Sequence, residues 1–294
     1  MKVGIYGQFY HNDSAKYIEE LLDALDKENI EVVIEKDFLE LIHLNTTFIK
    51  DYKHFSTFEE LDNSYDLFFS IGGDGTILKS INYIQDLNIP ILGINTGRLG
   101  FLATIQKEEI EQTISTILKK KYFISERTVL CIETDPHSDE IGESNFALNE
   151  VAVSRKNTTS MITVETWLNE KYLTSYWADG LIISTPTGST GYSLSCGGPV
   201  IMPDANALII TPIAPHNLNA RPLVIKDDTK ITLKISGREN FYLTSMDSRI
   251  ASLSNDTQLT IKVAPFKISM VEMEDQSFIK TLRKKLLWGE DRRN

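Results

Sequence analysis

The sequence predicts an α/β domain followed by an all-β one, and three observations carry that expectation. Apolar strand-like runs alternate with amphipathic helical runs through the first part of the chain. From Glu126 onward the helical period nearly disappears, and short strand-like runs follow one another. Two glycine-rich turns sit where strands give way to helices, as in open α/β sheets. Segregated runs of α/β and then β units favour two domains over one mixed sheet. The division is expected near Ser125, giving segments 1–125, 126–269 and a terminal 270–294.

The elements follow in order. Residues 2–7 form an apolar run, Asn12, Asp13 and Ser14 are helix-capping residue types, and Tyr17, Ile18, Leu21, Leu22 and Leu25 recur at helical spacing. A second strand is predicted at 31–34, and a third, 65–71, runs into Gly72 and Gly73. Ile77, Leu78, Ile81 and Ile84 then mark one face of a helix. Asn88-Ile89-Pro90 breaks the chain before a buried strand at 91–94, which completes a β-α-β crossover of the usual length, about thirty residues. The stretch 108–120 reads as a helix with Ile110, Ile114, Ile117 and Leu118 inward. Its acidic start and basic end complement the helix macrodipole. Beyond it 129–134, 147–154, 162–167, 181–185, 231–235 and 259–263 suit strands. Ser277 is placed to cap a short terminal helix presenting Phe278, Leu282 and Leu286.

Composition narrows the function. At 294 residues, 41% hydrophobic and 24% charged, the chain has ample material for a core and is unlike disordered or fibrous sequences. Thirty Lys and Arg against forty-one Asp and Glu give a net charge of −11, which opposes non-specific binding to nucleic acid or anionic lipid. No apolar run approaches the length of a membrane span, and the opening MKVGIYG lacks the pattern of a secretory leader, so a cytoplasmic protein is expected. Cys131 and Cys196 have no metal-ligand spacing and read as reduced thiols.

The chemistry gathers in the glycine-rich turns. Gly72-Gly73-Asp74-Gly75-Thr76 lies between a strand and a helix, where backbone amides and the helix N-terminus form a phosphate cradle. Asp74 is the outlier. A carboxylate there holds a metal, takes a hydroxyl proton or hydrogen-bonds a sugar hydroxyl, or else it only caps the helix. The turn is neither GxxxxGK[ST] nor GxGxxG. The second turn, 93–102, follows the next strand, so the two loops should meet at one sheet edge, with Arg98 either on a phosphate or solvated. In the β-rich part, glycines and hydroxyl-bearing residues alternate through 186–195, a composition suited to ribose and phosphate oxygens. Asn149-Glu150 interrupts an apolar strand, and a polar group at a core position needs a partner.

Taken in order, GGDGT at 72–76, GINTGRLGFL at 93–102, LNEV at 148–151, DGLIISTPTGSTGYSLSCGGPV at 179–200 and TPIAPHNLNARPLV at 211–224 resemble the motifs of NAD kinases over most of the chain. FIKTLRKKLLWG at 278–289 resembles the bacterial members. GGDGT alone also occurs in lipid kinases and phosphofructokinase-like enzymes. The long second motif separates this chain from the diacylglycerol kinase type, whose GTGND is absent. The resemblance implies a Rossmann-like N-terminal α/β domain completed by 270–294 and a β-sandwich-like C-terminal domain that binds NAD. It implies transfer of the terminal phosphoryl group of ATP to the 2′-hydroxyl of the adenosine ribose of NAD, with a divalent cation, Mg²⁺ first, in a homodimer or homotetramer.

Residue by residue, it implies that Asp74 meets the 2′-hydroxyl as proton acceptor or orienting group, with Gly75 beside it; Lys79, one helical turn on and a further expected NAD contact, either reaches a phosphate or is a solvated helix residue. Gly72, Gly73, Gly75 and Thr76 would form the phosphate loop. Asn149 and Glu150 would bind the adenosine side, and Asp179 the nicotinamide end. Thr190, Gly191, Tyr192, Ser193, Leu194 and Ser195 would line the NAD site, with Tyr192 near a base and Ala214 as a small neighbour. Arg249 is a further expected contact, although Met246-Asp247-Ser248-Arg249 stands where many relatives carry DGQ. Trp177, which replaces an arginine of some members, reads as a packing residue, and His216, with no nucleophile beside it, as making a structural hydrogen bond. Two rivals make different predictions: a lipid or sugar kinase binds no NAD, and a dinucleotide sensor lacks the loop carboxylate that Asp74 supplies.

Overall fold

The computed structural model describes residues 1–8, 14–46, 50–142, 144–157, 160–274 and 276–289. The expected capping residues Asn12 and Asp13 lie outside them. The chain forms two compact units, Met1–Glu126 with Ile268–Asn294, and Arg127–Lys267.

The first unit is an α/β layer. Its elements are β1 (Lys2–Gly7), α1 (Ser14–Lys27), β2 (Glu31–Glu35), α2 (Lys36–Asn45), β3 (Lys53–Phe55), β4 (Leu67–Gly72), α3 (Asp74–Ile84), β5 (Ile91–Asn95), β6 (Ile105–Gln106) and α4 (Ile110–Leu118). The strands pair in parallel in the order β5-β4-β1-β2-β3, with β6 on β5. Strands covered on both faces need continuous apolar runs, and β4 and β5 are buried at every position. The helices supply Ile18, Leu21, Leu22 and Leu25 from α1 and Ile110, Ile114 and Ile117 from α4 to the core. Helix α2 escapes the sequence reading because only Phe38, Leu39 and Ile42 face inward. Its cap is Glu35, whose carboxylate accepts the amide of Phe38 at 2.9 Å. The predicted helix at 108–120 is shorter, since 107–109 form a tighter turn closed by a reciprocal Gln106–Glu109 capping box.

The chain leaves along β7 (Tyr122–Asp135) into the second unit. There follow β8 (Phe146–Ala147), β9 (Glu150–Arg155), β10 (Ile162–Leu168), β11 (Lys171–Ala178), β12 (Gly180–Ser184), α5 (Tyr192–Ser195), β13 (Ala207–Ile213), β14 (Leu223–Lys226), β15 (Ile231–Ser236), β16 (Phe241–Met246) and β17 (Arg249–Ser254). An antiparallel sheet runs β14-β13-β12-β9-β16-β17. A second antiparallel group joins β11, β10 and β15 to the start of β18 (Gln258–Met273). Val151, Val153, Leu181, Ile183, Leu208 and Ile210 of the first share one core with Val164, Leu233, Ile235 and Leu259 of the second. Strands β11, β13, β14, β16 and β17 are additions to the sequence reading. The strand expected at 147–154 is in fact broken between β8 and β9, with Leu148 and Asn149 in the gap.

The end of β18 and helix α6 (Phe278–Leu286) belong to the first unit, where Met270 pairs with Ile91. Ser277 caps α6 as expected, accepting the Lys280 amide at 3.3 Å. No helix among the described residues is long and apolar enough to cross a membrane.

Candidate active site

Parallel pairing of β4 and β5 places Gly72 opposite Asn95, so the two glycine-rich loops leave the sheet side by side, as expected. Gly72 has φ +152, and a Cβ there would stand 2.2 Å from Thr76 Oγ1, so only glycine fits. Nothing lies within 4 Å of where side chains at Gly73 and Gly75 would stand, so that face of the turn is open. Thr76 departs from its expected phosphate role. Its side chain is fully buried and its amide donates to the Gly73 carbonyl at 2.9 Å, so it supports the turn from within.

Helix α3 begins at Asp74 with Gly73 as its cap, and the carboxylate is not used on its own helix. It reaches across to the second loop, where Oδ2 accepts the amide of Phe101 at 2.7 Å and Oδ1 those of Leu102 and Ala103 at 3.0 and 2.9 Å. An ionised carboxylate has about four acceptor positions, so three amides leave one open on Oδ2. The second loop is knitted by Asn95, whose amide donates to the carbonyls of Arg98 and Ala103 while its oxygen accepts from Gly97 at 2.7 Å. Helix α6 braces the same segment. Lys285 Nζ donates to the Leu99 carbonyl at 2.6 Å, and the Phe278 ring lies 6.4 Å from that of Phe101. Lys79 and Arg98 are both exposed.

In the second unit, Asn149 occupies the break before β9, and Glu150 opens that strand opposite Ser184. The Asn149 carbonyl accepts from Thr185 N at 2.9 Å and from Ser184 Oγ at 3.3 Å. A Cβ at Gly188 would fall 2.1 Å from that carbonyl oxygen, and one at Gly191 would fall 3.3 Å from Glu150 Oε2. The 186–195 loop therefore lies directly over Asn149 and Glu150. Glu150 is buried, with Oε2 lacking a hydrogen-bond partner, as does Asn149 Oδ1. Burial, then the nearby Asp247 charge, push the Glu150 carboxyl up to about 8 against the opposing Tyr192 amide.

The remaining expected residues separate by what they touch. Tyr192 is 43% exposed, Thr190, Gly191 and Leu194 are half-buried, and Ser195 is exposed. Ser193 turns inward instead of lining an open surface, its hydroxyl 2.8 Å from that of Thr211. Asp179 pairs with Arg155 at 3.3 Å, and Ala214 follows β13 with φ 42. Arg249 is committed to protein groups, donating to the carbonyls of Ser144 and Phe146. The Trp177 and His216 rings pack at 4.4 Å between centroids. Both cysteines are free thiols. Among the described residues no three of His, Cys, Asp and Glu gather as a metal-binding group.

Three residues have roles that the sequence reading does not assign. Gly100 is required because a Cβ would lie 1.8 Å from Asp74 Oδ1, and Gly188 for the contact given above. Asp247, at φ 53 in the β16–β17 turn, accepts the amides of Leu148, Asn149 and Glu150 at 2.9, 2.8 and 3.2 Å. An aspartate between two strands is a turn signal, and aspartate is among the few residues that tolerate left-handed backbone.

Two family profiles match the chain: ATP-NAD kinase N-terminal domain over residues 3–122 and ATP-NAD kinase C-terminal domain over 148–273. The chain belongs to the NAD kinase family. The NAD kinase of Christiangramia forsetii is 71% identical over the full length of both chains, and that of Flavobacterium psychrophilum 58%. Among solved structures, an NAD kinase from Archaeoglobus fulgidus in complex with ATP superposes with a TM-score of 0.73 at 26% identity, covering 98% of this chain and 99% of that one. A yeast NADH kinase complexed with NADH shares the fold, with a TM-score of 0.84 at 23% identity, covering 98% of this chain and 88% of that one. The two matched stretches fall one in the α/β part of the chain that carries GGDGT and the other over its β-rich part.

Proposed function

We propose that the protein transfers the terminal phosphoryl group of ATP to the 2′-hydroxyl of the adenosine ribose of NAD, giving NADP. The observation that carries this reading is the Asp74 carboxylate, held by three amides with one acceptor position left on Oδ2. Phosphoryl transfer passes through a loose transition state, so the protein's task is mainly to place the nucleophile and neutralise charge. Asp74 orients the hydroxyl through the open position and accepts its proton as the new P–O bond forms. Gly73 and Gly75 leave room for phosphate against the start of α3. Asn149 and Glu150 hold the adenosine side, Asp179 the nicotinamide end, and Tyr192 offers a face to a base. Thr190, Gly191, Leu194 and Ser195 border the dinucleotide, whereas Ser193 and Arg249 keep the surrounding backbone in place. Mg²⁺ enters with ATP as part of the substrate, bound through phosphate oxygens in the usual manner of that ion. The working form is a cytoplasmic homodimer or homotetramer.

The test is NADP formation from NAD, ATP and Mg²⁺, followed through an NADP-specific dehydrogenase, for the unsubstituted protein and Asp74→Asn. ATP-dependent NADP from the first, with a loss of at least about a hundredfold in kcat and NAD binding retained in the second, is expected. Near-normal turnover by Asp74→Asn would remove Asp74 from the mechanism, and no NADP from the unsubstituted protein would remove the reaction.

A further inference from the structure

Two acidic residues serve the gap between β8 and β9, and the surroundings of their carboxyl groups differ. Asp247 Oδ1 accepts the amides of Asn149 and Glu150, Oδ2 accepts that of Leu148, and the Asp247 amide donates back to the Glu150 carbonyl at 3.0 Å. Four hydrogen bonds thus fasten one turn residue to three consecutive residues about a hundred positions earlier. Glu150 has much less: one amide, that of Tyr192, and an Oε2 with no partner although the residue is buried.

We propose that Asp247 is a positioning residue of the dinucleotide site, which holds the Leu148–Glu150 backbone and makes Glu150 a neutral hydrogen-bond donor to an acceptor atom of the adenosine. The inference rests on the NAD kinase reading and deepens it. Two carboxyl groups close together in a poorly solvated place do not both ionise readily. Burial pushes both upward; at Asp247 three amides and the Arg249 charge oppose it, whereas at Glu150 only the Tyr192 amide does. The proton therefore sits on Glu150, for which burial and the Asp247 charge act in the same direction. The titratable groups facing Glu150 are Asp247 from the β16–β17 turn and Tyr192 and Cys196 from α5 and its end, with Arg249 acting on Asp247. Ser184 stands opposite it on β12. A carboxylic acid donates one O–H and a carboxylate donates none, so ionisation removes the bond to the ligand and sets a second negative charge beside Asp247. Asn149 Oδ1, equally unpartnered, supplies the complementary acceptor next to it.

The test is a pH series of KM for NAD and kcat at saturating ATP, with the full chain unsubstituted, Glu150→Gln and Asp247→Asn, together with infrared difference spectra of each protein alone. For the unsubstituted enzyme KM for NAD is expected to be level below about pH 8 and to rise about tenfold per pH unit above it, with kcat changing much less. In Glu150→Gln that rise disappears, because an amide cannot ionise. In Asp247→Asn the break moves to lower pH, a result that loss of packing alone would not produce. The infrared spectrum of the unsubstituted protein should carry a protonated carboxyl band at neutral pH that fades through the same break and is missing in Glu150→Gln. A KM that stays level or falls through pH 8 to 9, a break unmoved in Asp247→Asn, or no such band would each overturn the proposal. If Asp247→Asn does not fold, Glu150→Gln and the infrared band decide. The band needs no turnover, so a protein that makes no NADP refutes the kinase reading while the band still judges this one.

Discussion

Gly100→Ala is the substitution by which the Asp74 geometry stands or falls. The added Cβ would lie 1.8 Å from Oδ1 and 2.5 Å from Cγ of Asp74, so the carboxylate must retreat by about 1.5 Å to reach ordinary contact distance. That shift is incompatible with all three amide bonds from Phe101, Leu102 and Ala103, at 2.7, 3.0 and 2.9 Å. A hydrogen bond to a charged group contributes about 1.5–3 kcal/mol. The half-exposed site lets water replace part of this, so a stability loss of about 2–4 kcal/mol is expected. For a unit of this size that lowers Tm by roughly 5–12 °C. The activity should suffer more, since a displacement of about 1 Å in a reacting group can cost a hundredfold. The expected result is kcat for NADP formation down by roughly two to four orders of magnitude, with KM for NAD changed only a few-fold. The assay is coupled NADP formation well below the variant's Tm, beside a melting curve. A Gly100→Ala protein with kcat within threefold of the unsubstituted enzyme would refute both the amide clamp and its role in placing Asp74.

Two other outcomes follow from the second unit. Gly188→Ala drives a Cβ to 2.1 Å from the Asn149 carbonyl oxygen, which is already held by Thr185 and Ser184 and cannot yield cheaply. A stability loss of about 1–3 kcal/mol in a melting experiment and at least a tenfold rise in KM for NAD are expected; an unchanged KM would mean that the loop does not shape the adenosine site. The Glu150 carboxyl lies at about 8 in the folded protein against a reference of 4.5, so the folded state keeps a proton that the unfolded chain releases. This group's contribution is full below about pH 4.5, falls as pH rises, and is gone above about 8, with a ceiling of about 5 kcal/mol at about 1.4 kcal/mol per pH unit. Tm of Glu150→Gln minus that of the unsubstituted protein should therefore grow from pH 5 to 9, and a difference that does not vary with pH would contradict the assignment.

The fold class, the β-α-β crossover and the meeting of two glycine-rich loops were legible because periodicity and glycine placement are local properties of the chain. Residues 67–72 and 91–95 are buried throughout and apolar but for Ser70 and Asn95, as parallel strands covered on both faces require, and Gly72 and Gly73 stand where the strand turns into α3. Helix α2 was not legible, because its inward face is only three residues wide. The edge strand β11, with Lys171, Tyr172 and Trp177 exposed, lacks the clean alternation that reveals a strand. The motifs carried the candidate residues Asp74, Asn149 and Glu150, but no pattern in the chain joined Asp74 to residues 101–103 or Asp247 to residues 148–150. Gly100 and Gly188 looked like any other turn glycines until the atoms they must accommodate came into place. The physical reason is that the groups these aspartates collect are backbone amides, which every residue except proline carries in identical form. Residue type identified which side chains could accept, and only the tertiary structure decided which amides came within about 3 Å of them.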